Sequence, residues 1–134
     1  MSSSPKGVMG PEHKSADAIA DIATGVMEDM KAAEVVRLDV RHLTSLMDYM
    51  IVASGRSDRH VRAIADALVE RCKSDGVPVA SVEGQASGEW ILVDLIDVVV
   101  HVMLPKVRDF YELEKLWKIA RPEDDADRAR LHIR

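Results

Sequence analysis

Residues 90–103, WILVDLIDVVVHVM, decide the fold. The runs 90–95 and 98–103 read as two strands of a hairpin turning at Ile96-Asp97. A two-residue turn sets Leu95 against Val98, Val93 against Val100 and Ile91 against Val102. Alternation then places these six aliphatic side chains on one face. Burying each contributes roughly 1.5–3 kcal/mol, so that face is the core side. The other face carries Trp90, Leu92 and Asp94 on the first strand, with Met103, His101 and Val99 across from them. It is apolar enough to bury and polar enough to specify, and either a helix or another protein covers it.

Outward from the hairpin, the periodicity supplies the remaining elements. Val61, Ile64, Ala65, Leu68, Val69 and Cys72 form one apolar stripe of a helix capped by Ser57 and ended by Gly76. Ile19, Ile22, Ala23, Val26, Met27 and Met30 form another stripe, with Ser15 as its N-cap. Residues 35–40 and 49–54 are predicted strands. Pro78 limits residues 77–82 to an edge or a strand start. A last helix is predicted from about 106 to 119, between Pro105 and Pro122. The order α-β-β-α-β-β-β-α implies an α/β (α+β) domain, a mixed five-stranded sheet with helices packed on it. Core positions from the strongest stripes are Ile22, Ile64, Leu68, Ile91, Val93, Val100 and Val102.

The chain has 134 residues, 47% hydrophobic and 31% charged, which suits one domain with a real core. Residues 16–120 hold twelve basic and eighteen acidic side chains, a net of −6 within a whole-chain charge of −5. A sequence-independent nucleic-acid binder neutralises phosphates with Lys and Arg, so this balance argues against that role and for a basic partner. Residues 1–15 read as a flexible arm, and 121–134 as a flexible, locally neutral charged tail. No apolar run approaches the ~20 residues that cross a bilayer, and the N-terminus lacks a secretory core segment; a cytoplasmic location is the expectation. Cys72 is alone, and no Cys/His set has zinc spacing.

Candidate chemistry is sparse. The turn Gly55-Arg56-Ser57 between strand and helix reads either as an ordinary capped turn or as an anion site, with Gly55 and Ser57 as its residues. The second reading would make the chain a nucleotide-binding or nucleotidyltransferase-like enzyme, although the full P-loop spacing is missing. Asp94 and Asp97, three apart on a strand, point to opposite faces and do not converge on a metal. Asp97 reads as a turn former and Asp94 as a surface or partner contact. Cys72 lies on a buried stripe, where a thiol is a small apolar group. His60 is a candidate base or a solvated helix-end residue, and His101 a partner contact or a packed histidine. Trp90 begins a strand beside the Gly/Ser-containing loop 84–89, which gives it a wide angle open to a partner; Trp90 and Tyr111 each read either as a binding anchor or as a core residue. Phe110, Leu113 and Trp117 suit the core, whereas Tyr111 suits exposure.

Three ordered blocks, DYMIVASGRSDRHVRAIAD (48–66), VEGQASGEWILVDLIDVVVHVM (82–103) and RDFYELEKLW (108–117), resemble the Iojap family, the ribosomal silencing factors called RsfS. The resemblance covers about residues 16–117. It implies a nucleotidyltransferase-like sheet without the catalytic machinery; separately, neither a cofactor nor a metal is expected. It also implies binding to the large ribosomal subunit at ribosomal protein L fourteen, which blocks subunit joining and represses translation. A homodimer in the free state is a further implication. Carried over by position, Trp90, Asp94, Leu95, His101, Tyr111 and Glu114 match the family's signature, and Arg59 and His60 match its helix-start block. Met103, opposite Trp90, completes the candidate partner-binding set. The register above turns Leu95 inward, against that role. Ile96 departs from the family, which usually has Gly before the turn Asp, and makes a primed turn costlier.

Overall fold

The computed structural model describes residues 14–111, the side chains of Phe110 and Tyr111 excepted. Its elements run α1 (Ala16–Asp29), β1 (Ala33–Asp39), β2 (Tyr49–Ser54), α2 (Asp58–Ser74), β3 (Ser81–Glu83), β4 (Trp90–Asp94), β5 (Val98–Met103) and α3 (Pro105–Tyr111). The strands form one mixed sheet in the order β1-β2-β5-β4-β3. Only β2 and β5 are parallel; the other three neighbouring pairs are antiparallel. The predicted element order and the hairpin register both hold, with Ile91 opposite Val102 and Val93 opposite Val100.

Each helix starts where its cap demands. The Ser15 hydroxyl accepts from Ala18 N–H, and the Ser57 hydroxyl accepts from His60 N–H, both at 3.1 Å. Gly76 adopts φ 74° just after α2, which an L side chain resists. α1 and α2 bury their stripes on one face of the sheet. Met27, Ile64 and Leu68 meet Ile51, Ile91, Val93, Val100 and Val102 there. Ile22, expected in the core, lies only partly buried at its margin. The opposite face carries a smaller cluster of Leu38, Val40, Met50, Val52 and Met103, flanked by Trp90 and Val107.

Two strand starts differ from the sequence reading. The third strand starts at Ser81 rather than at 77, because Val77 N–H donates to Cys72 O at 2.8 Å and its side chain seals the end of α2. Ladder pairing thus begins after Pro78, where Ala80 N–H reaches Asp94 O at 2.8 Å. β1 begins two residues early and bulges between Ala33 and Val36, with Glu34 at φ 50°. Of the predicted last helix, the part beyond Tyr111 lies outside the described residues, as do Glu114, Leu113, Trp117 and most of the two arms.

Candidate partner-docking surface

Among the described residues, the sheet face away from α1 and α2 is only partly covered along β4. Trp90, Leu92 and Asp94 alternate onto it and are each half-buried. Opposed residues share a face, so the pairs Leu92–Glu83 and Asp94–Ser81 bring β3 onto the same strip, and Asp94–Val99 brings β5. The strip is therefore apolar with two carboxylates, Glu83 and Asp94, and carries no basic residue of β3, β4 or its β5 partners except neutral His101.

Trp90 anchors one end. Its indole N–H donates to His101 Nδ1 at 3.0 Å, with the rings tilted at 52° and their centroids 5.9 Å apart. An accepting Nδ1 places the ring proton on Nε2. His101 is only 6% exposed, and burial pulls its pKa down to about 4, so the imidazole is neutral near pH 7. Of the two readings open for His101, packed histidine and partner contact, the structure supports the first; it orients Trp90 from beneath. Met103 is 0% exposed and Leu95 1% exposed, so neither offers surface to a partner. Each sits on β5 or at the end of β4 where the sheet is covered, Met103 among Met50 and Val52, Leu95 in the main core.

Asp94 has a second task at the other end. Its Oδ1 accepts from Ile96 N–H at 2.8 Å, so Asp94, not the Asp97 side chain, shapes the turn. Asp97 contributes through its carbonyl, which accepts from Asp48 N–H at 2.7 Å and Tyr49 N–H at 3.2 Å. Ile96 takes φ 76° and is 52% exposed; Leu46, on the loop tied to it through Asp48, is 83% exposed. The sequence reading missed this apolar pair. Ile96, where the resemblance leads one to expect Gly, was its one visible signal.

The helix-start candidates separate in the fold. Arg59 is exposed in the first turn of α2. His60 is neither base nor free contact. Its Nδ1 accepts from Arg56 N–H at 2.9 Å and its Nε2 donates to Met30 O at 2.8 Å, bolting the end of α1 to the start of α2. That bond also bears on the anion reading of Gly55 and Ser57. Gly55 N–H donates to Met103 O, Arg56 N–H to His60, and His60 N–H to Ser57 Oγ, so three amides of the turn have internal acceptors. Gly55 is small because α2 needs the space: a Cβ there would lie 2.8 Å from Val61 Cγ2 and 3.0 Å from Val61 N. The turn is a capped, packed corner, the first of its two readings. Cys72 is fully buried, and burial pushes its thiol up to about 11, the inert setting expected of it. Among the described residues no three His, Cys, Asp or Glu side chains cluster as metal ligands would, and no helix is long and apolar enough to cross a membrane.

The comparison with known proteins decides what such a face belongs to. The family model described as "Ribosomal silencing factor during starvation" matches residues 13–133. The chain belongs to the RsfS family. The ribosomal silencing factor RsfS of Chromobacterium violaceum is 48% identical over 104 residues, spanning 78% of this chain and 85% of that one. RsfS of Bacillus subtilis is 38% identical over 99 residues, 74% of this chain and 84% of its own. A mouse protein named for mitochondrial assembly of the ribosomal large subunit is 33% identical over 121 residues, 86% of this chain and 52% of that protein. The sheet and helices superpose on a crystal structure from C. violaceum with a TM-score of 0.77 at 46% identity, covering 81% of this chain and 91% of that one. RsfS membership thus agrees with the resemblance carried by the three sequence blocks, and with the five-stranded mixed sheet.

Proposed function

We propose that this RsfS-family chain represses translation by binding the large ribosomal subunit at ribosomal protein L fourteen and excluding the small subunit. The observation that carries the reading is the family match over residues 13–133, taken with the name of the mouse relative, which refers to the ribosomal large subunit. The half-open strip along β4 fits that role chemically. It offers a preset indole and two carboxylates to a basic protein, within a folded body of net charge −6 over residues 16–120. The mechanism needs no bond to be made or broken; a bound protein occupies the place where the other subunit would dock.

Sedimentation of the protein with purified ribosomal subunits tests this. Co-migration with the large subunit and loss of 70S particles on reassociation are expected. Recovery with the small subunit alone, or with neither, would overturn the proposal.

A further inference from the structure

The loop 84–89 leads into Trp90 without regular structure, yet both its ends and its middle are held. Gly84, at φ +96°, lies so close to Trp90 that a Cβ would sit 2.0 Å from the Trp90 carbonyl oxygen. Gly88 N–H closes the loop onto Gly84 O at 3.1 Å, and Leu104 N–H fixes Glu89 O at 2.9 Å. The middle is gripped from α2. Arg62 donates Nε to Gln85 O and Nη2 to Ala86 O, each at 2.9 Å, while Nη1 pairs with Asp58 at 3.1 Å. Gly88, at φ +72°, makes this approach possible, because a Cβ there would lie 3.0 Å from both Arg62 Cζ and Asp58 O.

A planar guanidinium can serve two adjacent carbonyls and a carboxylate at once; an ammonium on a flexible stem cannot hold that geometry. The exposed side chains of Gln85, Ser87 and Glu89 stand immediately before Trp90 and share its end of the sheet. An ordered loop spares association the entropy of ordering it. We propose that Arg62 is a positioning residue for partner docking: its grip on the Gln85 and Ala86 carbonyls presets loop 84–89 and thereby the pose in which Trp90 and Glu89 meet the partner. This rests on the docking reading above.

The test uses the full chain with Arg62→Met and Arg62→Lys, alone and with Trp90→Ala. Amide exchange in loop 84–89 should rise about tenfold in Arg62→Met while the core amides keep their protection. Affinity for purified large subunits should fall about tenfold, and Arg62→Lys should not restore it. With Trp90→Ala already present, Arg62→Met should weaken binding by less than about threefold, because the two residues act through one pose. Gly88→Ala, which forces the loop off the guanidinium, should reproduce the loss and stands in where Arg62→Met folds poorly. Unchanged affinity in both variants, or losses that simply multiply with that of Trp90→Ala, would overturn the role of Arg62 while leaving the docking reading intact. Failure of the unmodified protein to bind large subunits would overturn the docking reading, and this inference with it.

Discussion

The indole N–H of Trp90 donates to Nδ1 of His101 on the neighbouring strand at 3.0 Å, a diagonal contact in which a neutral, buried imidazole serves as the acceptor. Protonating that ring would both charge a desolvated group and remove the acceptor.

A pH dependence follows, with a definite sign. His101 is lowered by burial from 6.5 to about 4 in the folded protein. Between those values the unfolded chain binds a proton that the folded chain refuses, so stability rises with pH there. The contribution is complete above about pH 6.5 and is lost as pH falls toward 4, on the order of 3 kcal/mol at ~1.4 kcal/mol per unit. His101→Asn can offer an amide oxygen to the indole without titrating. Denaturant melts at pH 7.5 and 4.5 should show a larger loss for the unmodified protein than for His101→Asn. Equal losses would place the acid sensitivity elsewhere.

Trp90 is half-buried against the smaller core cluster, so its truncation should be felt twice. Trp90→Ala should weaken large-subunit binding by about thirtyfold, near 2 kcal/mol, while the protein stays folded at 25 °C. Trp90→Phe keeps most of the packing but strands the His101 acceptor, which should lower stability by ~1–3 kcal/mol. Melting curves and subunit titrations of both variants separate anchor from core. Binding by Trp90→Ala at full affinity would remove Trp90 from the interface.

Asp94→Asn is a clean electrostatic probe, because an amide oxygen can still accept from Ile96 N–H while the charge is gone. Stability should change by less than about 0.5 kcal/mol, as for most surface substitutions. Association with the large subunit should slow at low salt, and its ionic-strength dependence should flatten. Stopped-flow rates that match the unmodified protein at every salt concentration would put Asp94 outside the contact.

Ile96 is a β-branched residue at φ 76°, and Asp97 N–H donates to Leu95 O at 3.0 Å across it, the geometry of a γ-turn with positive φ. Such backbone strain costs about 1–3 kcal/mol. Ile96→Gly should relieve it, less the ~0.5–1 kcal/mol of added freedom in the unfolded chain. A net gain of about 1 kcal/mol, several degrees in melting temperature, is expected. A lower melting temperature would mean that the half-exposed Ile96 side chain contributes more than its strain removes.

Periodicity alone determined the hairpin register, both helix stripes, their serine caps and the strand order in sequence, since each is a local rule of side-chain alternation and backbone capping. The three blocks carrying the family resemblance were legible for the same reason: they are contiguous runs. What neighbours do in space was not. His60 looked like a solvated helix-end residue because nothing near it in sequence shows that Met30 O and Arg56 N–H would bracket its ring. Arg62 gave no signal, since its acceptors lie 23 and 24 residues away and are backbone atoms of an irregular loop. Leu95 and Met103 match or adjoin a signature, yet burial denies them to a partner. Asp94, read as a surface or partner contact, also shapes a turn, and His101, read as a contact or a packed histidine, orients an indole. Tertiary structure decides these roles because a polar group's task depends on which distant donor or acceptor the fold delivers to it, whereas an apolar stripe needs only its own spacing to declare a buried face.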